Sequence, residues 1–311
     1  MTPSFRAALA TSLLALAACR DPAHAAREFD GTTAFGYLER QLSFGFRVPG
    51  TPAHEAMAAW LDSMARARAD SVVVQSWSHT TARGKLLQLH NVLARFNPSA
   101  AERVLFLAHW DTRPVSSNPS YKGDRSQPVP GANDGASGVA VLLGMADALQ
   151  RSLPGAGVDL LFVDGEDYGD FDSEPNDVLI GSRYYAANQP SGPRPLYAVL
   201  FDMVGDRDLK LLPEGQSLLG APEVVDLVWT LAREIGHGDV FIDAPGRGPT
   251  LTDDQVELQK VGIRAIDVVD FAYPTAPSNL YWHTPDDTID KVTAHSLQVV
   301  GDVGMALVRK R

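Results

Sequence analysis

The chain has 311 residues, of which 45% are hydrophobic, a formal net charge of −11 and one cysteine, Cys19. This length and apolar content suffice for one α/β domain with a sizeable core, and nothing in the composition indicates disorder. The acidic charge argues against nucleic acid and anionic lipid as partners, and the single cysteine excludes an intramolecular disulfide bond.

Residues 1–18 have the composition of an export signal. Arg6 provides a positive charge, and the apolar run ALATSLLALAA is too short for a comfortable membrane span. The following LAAC resembles the lipobox of bacterial lipoproteins, which implies lipidation at Cys19; an ordinary signal peptide cleaved after the AHA at 23–25 is the alternative. Either way we expect an exported protein of the periplasm or cell envelope, with a polar tether at 19–30 and any membrane attachment made only through a lipid.

Apolar periodicity predicts the elements that follow. The segment from 35 to 69 predicts two helices separated by the turn RVPGTP, and His54 falls in the first turn of the second helix. A histidine there is normally solvated, so we assign it no role. Strands are predicted at 72–75, 91–96, 104–108, 158–163, 197–201 and 263–269, and helices at about 136–150, 179–188, 222–236, 253–261 and 293–310. This alternation indicates a mostly parallel mixed sheet with helices on both faces, in a single domain.

A glycine-rich loop precedes the helix predicted from residue 136. The sequence GANDGASGVAVLLGMADAL places Asp134 among Gly131, Gly135 and Gly138, directly before an apolar helical stripe. Small residues let the backbone come close to whatever Asp134 holds. An Asn or Asp before a helix is usually only an N-cap, so the loop alone leaves both interpretations open.

Acidic and imidazole side chains follow the predicted strands at their carboxyl ends, where open α/β sheets bind ligands. All of them offer oxygen or imidazole nitrogen, and the set is His109, Asp134, Glu166, Asp167, Asp202 and His283. Carboxylates brought together repel one another and resist ionisation unless a cation offsets them. Mixed histidine and carboxylate ligands suit zinc with an open position better than calcium or a cysteine-rich structural zinc site. The pattern therefore predicts a zinc site, with one ion or two.

Five motifs in order, FLAHWDT, GANDGASGVAVLL, VDGEDYG, LIGSRYYA and YWHTPDDT, resemble the zinc aminopeptidase superfamily and, within it, the bacterial glutaminyl cyclases. The resemblance covers about residues 32–310, so it implies a zinc-aminopeptidase-like catalytic domain at 31–311. It implies that the ligands of one zinc are Asp134, Asp167 and His283. In the aminopeptidases Asp134 would bridge to a second zinc, whose other ligands would be His109 and Asp202.

The same resemblance implies roles around the metal. Glu166 matches the general acid/base, and Asp111 would orient His109. The ligand after the general base is often Glu in the family, whereas this chain has the shorter Asp167, as bacterial cyclase-like sequences also do.

The flanking residues favour a cyclase over a peptidase, although the ligands themselves do not separate the two. Trp282 stands directly before the last ligand, and Asp253-Asp254 precedes a predicted helix. Resemblance gives Asp202 and Asp253 hydrogen-bonding roles towards the amine and the tetrahedral intermediate, and gives Trp282 the role of an apolar wall. Core packing is the alternative for Trp282, and a helix N-cap is the alternative for Asp253. Gln255 departs from the cyclase pattern, in which His is usual.

The implied activity is that of a zinc-dependent glutaminyl-peptide cyclotransferase, which converts an N-terminal glutamine to pyroglutamate and releases ammonia. Its partners would be peptides or proteins with N-terminal Gln, and we expect a monomer. The alternative is a dinuclear zinc aminopeptidase, in which Glu166 deprotonates a water. A third alternative, an inactive metal-binding scaffold of the envelope, is disfavoured because Glu166 and every ligand position are intact.

Overall fold

The structure is a computed structural model that describes residues 28–152, 155–173, 176–274 and 278–310. Cys19, the predicted leader and most of the predicted tether lie outside the described residues, so export and lipidation stay predictions. Within the described ranges, no helix is both long enough and apolar enough to cross a membrane.

Six strands form one mixed sheet in the order β1-β2-β4-β3-β5-β6. They are β1 (Ser71–Thr80), β2 (Leu86–Phe96), β3 (Arg103–His109), β4 (Gly157–Val163), β5 (Ala198–Asp202) and β6 (Ala265–Val269). The last four are parallel, whereas β1 and β2 form an antiparallel hairpin whose second strand pairs antiparallel with β4. The predicted mostly parallel mixed sheet is confirmed, with β1 and β2 longer than predicted.

The helices lie where the periodicity predicts them, with one short addition. They are α1 (Gly31–Leu42), α2 (Pro52–Arg66), α3 (Ala136–Arg151), α4 (Ile180–Ala187), α5 (Gly215–Gly220), α6 (Pro222–Glu234), α7 (Asp254–Lys260) and α8 (Ala294–Arg309). The turn RVPGTP starts α2, because Thr51 accepts a hydrogen bond from the His54 amide and Pro52 occupies the first turn. The six-residue α5 was not predicted.

Alternate residues of the strands face two separate apolar cores. On β3, Val104 and Phe106 belong to the core under α1, α2, α3, α6 and α8, whereas Leu105 and Leu107 belong to the core with α4 and α7. Every residue of β3 and β4 is buried. This pattern is expected of parallel strands covered on both faces, and the predicted helices on both faces are confirmed.

One glycine brings α3 against the end of β5. A Cβ at Gly138 would clash with the carbonyl oxygen of Phe201. The first turn of α3 therefore lies directly on the carboxyl end of β5. This contact brings the loop that carries Asp134 towards Asp202.

The expectation that His54 is solvated is wrong. Its side chain is fully buried, its Nε2 lies 2.8 Å from Asp164 Oδ1, and its ring stacks on Trp110 with 4.5 Å between centroids. The first turn of α2 packs onto the carboxyl ends of β3 and β4, which removes the imidazole from water.

Candidate active site

Two overlapping groups of side chains lie beyond the carboxyl ends of β3, β4 and β5. Asp134, Asp167 and His283 form one group; His109, Asp134 and Asp202 form the other. In each group, one ligand atom per residue lies within 4.8 Å of the others. His283 Nε2 is 3.2 Å from Asp167 Oδ1, and His109 Nε2 is 3.1 Å from Asp134 Oδ1 and 3.2 Å from Asp202 Oδ1. The six side chains predicted from the strand ends thus include five that meet in two metal-sized clusters sharing Asp134.

The first group fits a divalent metal ion. Asp134 Oδ2 is buried without a hydrogen-bond partner among the described residues, and it lies 3.6 Å from His283 Nε2. Burial raises the pKa of Asp134, and the negative charge of Asp167 raises it further. A cation would favour the ionised form of such a carboxylate. Two carboxylates and one imidazole also match the three protein ligands of catalytic zinc sites, which keep the fourth position open.

The loop before α3 is shaped around His109. Gly135 has φ +92°, and a Cβ there would lie 3.0 Å from the His109 ring. Gly135 is also the N-cap of α3, and no side chain caps this helix. The interpretation of Asp134 as an N-cap is therefore wrong, and its carboxylate points into the cluster instead.

Two further aspartates hold the backbone on either side of the cluster. Asp111 accepts hydrogen bonds from the amides of Glu166 at 3.0 Å and Asp167 at 3.2 Å. Asp287 accepts from the amides of Asn133 at 2.8 Å and Asp134 at 3.1 Å. Asp111 Oδ1 also lies 3.6 Å from His109 Nδ1, so its shorter contacts go to the backbone of Glu166 and Asp167 rather than to the histidine it was expected to orient.

Arg113 and Ser117 link the two outer members of the first group. Arg113 Nη1 donates to Asp167 Oδ1 at 2.5 Å, and its Nε donates to Ser117 Oγ at 2.6 Å. Ser117 Oγ is in turn hydrogen-bonded to His283 Nδ1 at 3.1 Å. Although burial opposes it, the charges of His283 and Arg113 lower the pKa of Asp167 below its ordinary value. Asp167 is therefore ionised and oriented towards the metal position.

Of the three carboxyl groups predicted to be catalytic, Asp202 belongs to the second group, and Glu166 and Asp253 lie outside both groups. Glu166 Oε2 is 3.7 Å from His109 Nδ1, and Asp253 is buried at the N-terminus of α7. Burial raises the pKa of Glu166 well above its ordinary value, and it has the same effect on Asp253, where Asp202 adds to the shift. Asp253 accepts from the amide of Asp254 at 2.5 Å, so the N-cap interpretation of this residue is confirmed.

Trp282 forms an aromatic wall with its neighbours. Its ring lies flat on that of His283, with 3.6 Å between centroids, and meets Phe271 edge-on at 5.0 Å. It packs against a small core of Met203, Val269 and Tyr273, yet it stays partly exposed. His283 itself has φ +55°, a strained conformation for a residue with a side chain. Both the packing and the wall interpretations are therefore compatible with the position of Trp282.

Residues 91–308 match the model of Peptidase family M28. This chain belongs to peptidase family M28. The solved structure of Bacteroides thetaiotaomicron glutaminyl cyclase bound to N-acetylhistamine is 33% identical with a TM-score of 0.85, and covers 91% of this chain and 98% of that chain. A Zn-dependent exopeptidase from Parabacteroides distasonis has the same identity and TM-score, over 91% of this chain and 99% of that one. The glutaminyl-peptide cyclotransferase-like protein of Bos taurus is 25% identical over an alignment 297 positions long, which covers 84% of this chain and 71% of that protein.

These similarities confirm the predicted relation of this M28 chain to the zinc aminopeptidases and the bacterial glutaminyl cyclases. They also confirm the predicted fold. The relatives include both exopeptidases and cyclases, so membership of family M28 does not by itself distinguish the two activities.

Several residues that shape the site of this M28 protein were not predicted. Arg47 is fully buried and donates to the carbonyl oxygens of Trp110, Pro130 and Gly131. Burial lowers its pKa to about 10, which leaves it charged at neutral pH. For Arg113 and Asp287, one feature of the sequence indicates a role in the site, which is their position. Arg113 directly follows FLAHWDT, and Asp287 lies inside YWHTPDDT.

Proposed function

We propose that this M28 protein is a zinc-dependent glutaminyl-peptide cyclotransferase, which converts an N-terminal glutamine to pyroglutamate and releases ammonia. The observation that carries the proposal is the partly exposed ring of Trp282, which is stacked on His283 beside the buried carboxyl groups of Asp134 and Asp167. A cyclisation is intramolecular, so its rate depends on holding the glutamine side chain folded back towards its own amine. An apolar wall next to acidic groups suits that substrate. The likeness to the Bacteroides thetaiotaomicron glutaminyl cyclase over 91% of this chain supports the proposal.

Asp134, Asp167 and His283 would hold one zinc ion, because these three side chains converge and one buried oxygen of Asp134 has no other partner among the described residues. When bound, zinc supplies a Lewis acid that polarises the carbonyl of the glutamine side-chain amide. Arg113 would keep Asp167 oriented for this role through the hydrogen bond to its Oδ1.

Glu166 would move the proton that the reaction requires. The α-amine nitrogen forms a bond to the amide carbon, and the bond from that carbon to the amide nitrogen breaks. One proton must pass from the attacking nitrogen to the departing one. Glu166 would accept this proton and return it to the leaving ammonia, and burial raises its pKa above the ordinary value of a carboxyl group, which favours proton uptake.

Asp202 and Asp253 would hold the amino group. Asp202 ends β5 with its side chain partly exposed, whereas Asp253 is buried at the start of α7. Their oxygens are acceptors suited to an amine or ammonium, and the local negative charge attracts a positively charged N-terminus. The face of the Trp282 ring that is not stacked on His283 would contact the methylene groups of the glutamine side chain and keep water away from them.

A dinuclear zinc aminopeptidase is the second candidate. The second three-residue group, which shares Asp134 with the first, would complete a pair of metal sites. In that reaction Glu166 would take a proton from the water that attacks the first peptide bond.

The test is to incubate the purified protein with zinc and a short peptide amide that begins with glutamine, and to follow the products by mass. The same peptide with an acetylated N-terminus is the matched control, because it has no free amine for cyclisation. We expect loss of ammonia from the free peptide with the chain intact. Release of free glutamine with a shortened chain would establish the aminopeptidase instead, and absence of any product in a zinc-loaded protein would support the inactive scaffold.

A further inference from the structure

A second pocket lies at the opposite end of the sheet from the metal ligands. It has a volume of about 430 Å³, within the range of small-molecule sites. Asp159 is the third residue of β4, whereas the candidate active site begins after the last residue of that strand. The C-terminal half of α4 and the loop 189–195 form the other walls. The pocket thus lies near the start of β4, and the candidate active site lies beyond its end.

Positive charge is in excess around this pocket. Arg103 is fully buried and holds Asp159 with two hydrogen bonds, from Nε at 2.8 Å and from Nη2 at 3.0 Å. Arg95 adds a third hydrogen bond, from Nε to Asp159 Oδ1 at 3.2 Å. Because Arg103 already offsets the single carboxylate, the charge of Arg95 is left over. Arg194 on the loop adds another.

The guanidinium of Arg95 retains capacity for a ligand. Among the hydrogen bonds of the described residues it donates only through Nε, and its side chain is 11% exposed. Its Nη2 is directed to the loop, since a Cβ at Gly192 would lie 3.9 Å away. Arg194 Nη2 donates to the carbonyl oxygen of Val261 at 2.5 Å, and both residues line the pocket. Two planar donors suited to a carboxylate or phosphate thus border one cavity.

The remaining lining is mostly apolar. Tyr185 is almost fully buried and contributes its ring, and Pro190, Pro193 and Pro195 line the loop side. Burial raises the pKa of Tyr185, so its phenol stays neutral and can donate a hydrogen bond. The cavity therefore combines cationic donors with an aromatic and proline surface.

We propose that this pocket, bounded by Arg95, Tyr185 and Arg194, binds a small organic anion with an apolar body. The anionic group lies between the two guanidinium groups, and the apolar body lies against Tyr185 and the prolines. In a chain with a net charge of −11, an anion would be repelled from most of the surface, which makes this local excess of positive charge selective. The site is separate from the metal ligands and does not depend on the proposed cyclase activity.

The probe is 3-phenylpropionate, with its neutral amide as the matched ligand, in the zinc-loaded protein at low salt. Titration calorimetry measures the Kd, and amide NMR of Ala186 and Gly192 locates binding at this pocket. We expect a Kd of about millimolar for the carboxylate. Arg95→Gln and Arg194→Gln should each weaken binding of the carboxylate by at least about fivefold. The neutral amide should bind the wild-type protein no more tightly than the carboxylate binds these variants. Arg66→Gln, at an exposed arginine of α2, is the control and should leave the Kd unchanged.

The outcomes separate clearly. Carboxylate binding at the metal would shift amides near His283 and would survive both arginine substitutions. The proposal is overturned if Ala186 and Gly192 do not shift, if the amide binds as well as the carboxylate, or if Arg194→Gln binds like the wild type. Arg194 is exposed, so its variant tests the pocket even if Arg95→Gln does not fold.

Discussion

Replacing Glu166 with Gln removes the proposed proton carrier while preserving the shape of the site. The backbone amide of Glu166 donates to Asp111, and its carbonyl accepts from the amide of Leu179 at 2.9 Å; neither bond depends on the side chain. The variant should therefore fold like the wild type. Glu166 belongs to neither group of candidate ligands, so we expect zinc to remain bound.

The size of the effect follows from the role assigned to Glu166. General acid–base catalysis contributes about 10²- to 10⁴-fold to a rate. The corresponding increase in the activation free energy is roughly 3–5 kcal/mol. Since Gln cannot exchange a proton at this position, we expect kcat to fall by that factor, with little change in KM because Glu166 is not assigned to binding.

Ammonia release from a glutaminyl peptide measures kcat, and mass spectrometry of the metal measures zinc content. Glu39→Gln, at an exposed residue of α1, is the matched control and should keep full activity. A Glu166→Gln protein that turns over within about tenfold of the wild type would refute the proton-transfer role. Loss of zinc from this variant would show instead that Glu166 acts through the metal site.

Three further predictions concern the ligands and the acidic core. His283→Ala should lower zinc content, and a stoichiometric ion in this variant would contradict the ligand assignment. Arg113→Met should weaken zinc affinity by about 10- to 100-fold in a chelator competition, because Asp167 loses its orienting donor; an unchanged affinity would contradict that role. Burial raises the pKa of Asp270 from 3.8 to about 7, so the folded state holds more protons than the unfolded state between these values. The contribution of Asp270 to the free energy of unfolding must then fall by roughly 2–4 kcal/mol as pH rises from about 4 to 7. Urea unfolding of the wild type and of Asp270→Asn across that range should give a difference in unfolding free energy that changes by this amount. A difference that stays constant with pH would contradict the pKa shift.

The site residues that follow the strands could be predicted because they are polar or charged, whereas the ends of the strands before them are apolar. β3 and β4 are apolar over the residues that lead to their ends, VLFLA and LLFV, and a parallel sheet brings their carboxyl ends to one edge. Residues that follow such strands must meet there, whatever the details of packing. His109 and Glu166 are therefore close to each other because of topology alone.

The residues that hold the cluster in place could not be predicted in the same way. His54 contacts Asp164, which is 110 positions away, and Asp287 binds an amide 154 positions away. Such contacts depend on how helices and loops dock, and local periodicity carries no information about docking. A charged or polar residue in a turn looks solvated until the packing that buries it is known, as Arg47 also shows.

The protonation state of His109 bears on whether a second metal ion can bind at the group that contains it. Although burial opposes it, Glu166 and the surrounding aspartates raise the pKa of His109 well above its ordinary value. A protonated imidazole donates to Asp134 and Asp202, whose oxygens lie 3.1 and 3.2 Å from its Nε2, but it cannot bind a metal ion. A neutral imidazole with the same geometry offers that nitrogen as a ligand for a second ion. A second ion at the group of His109, Asp134 and Asp202 would therefore require the neutral form of His109, which a list of ligand residues does not show.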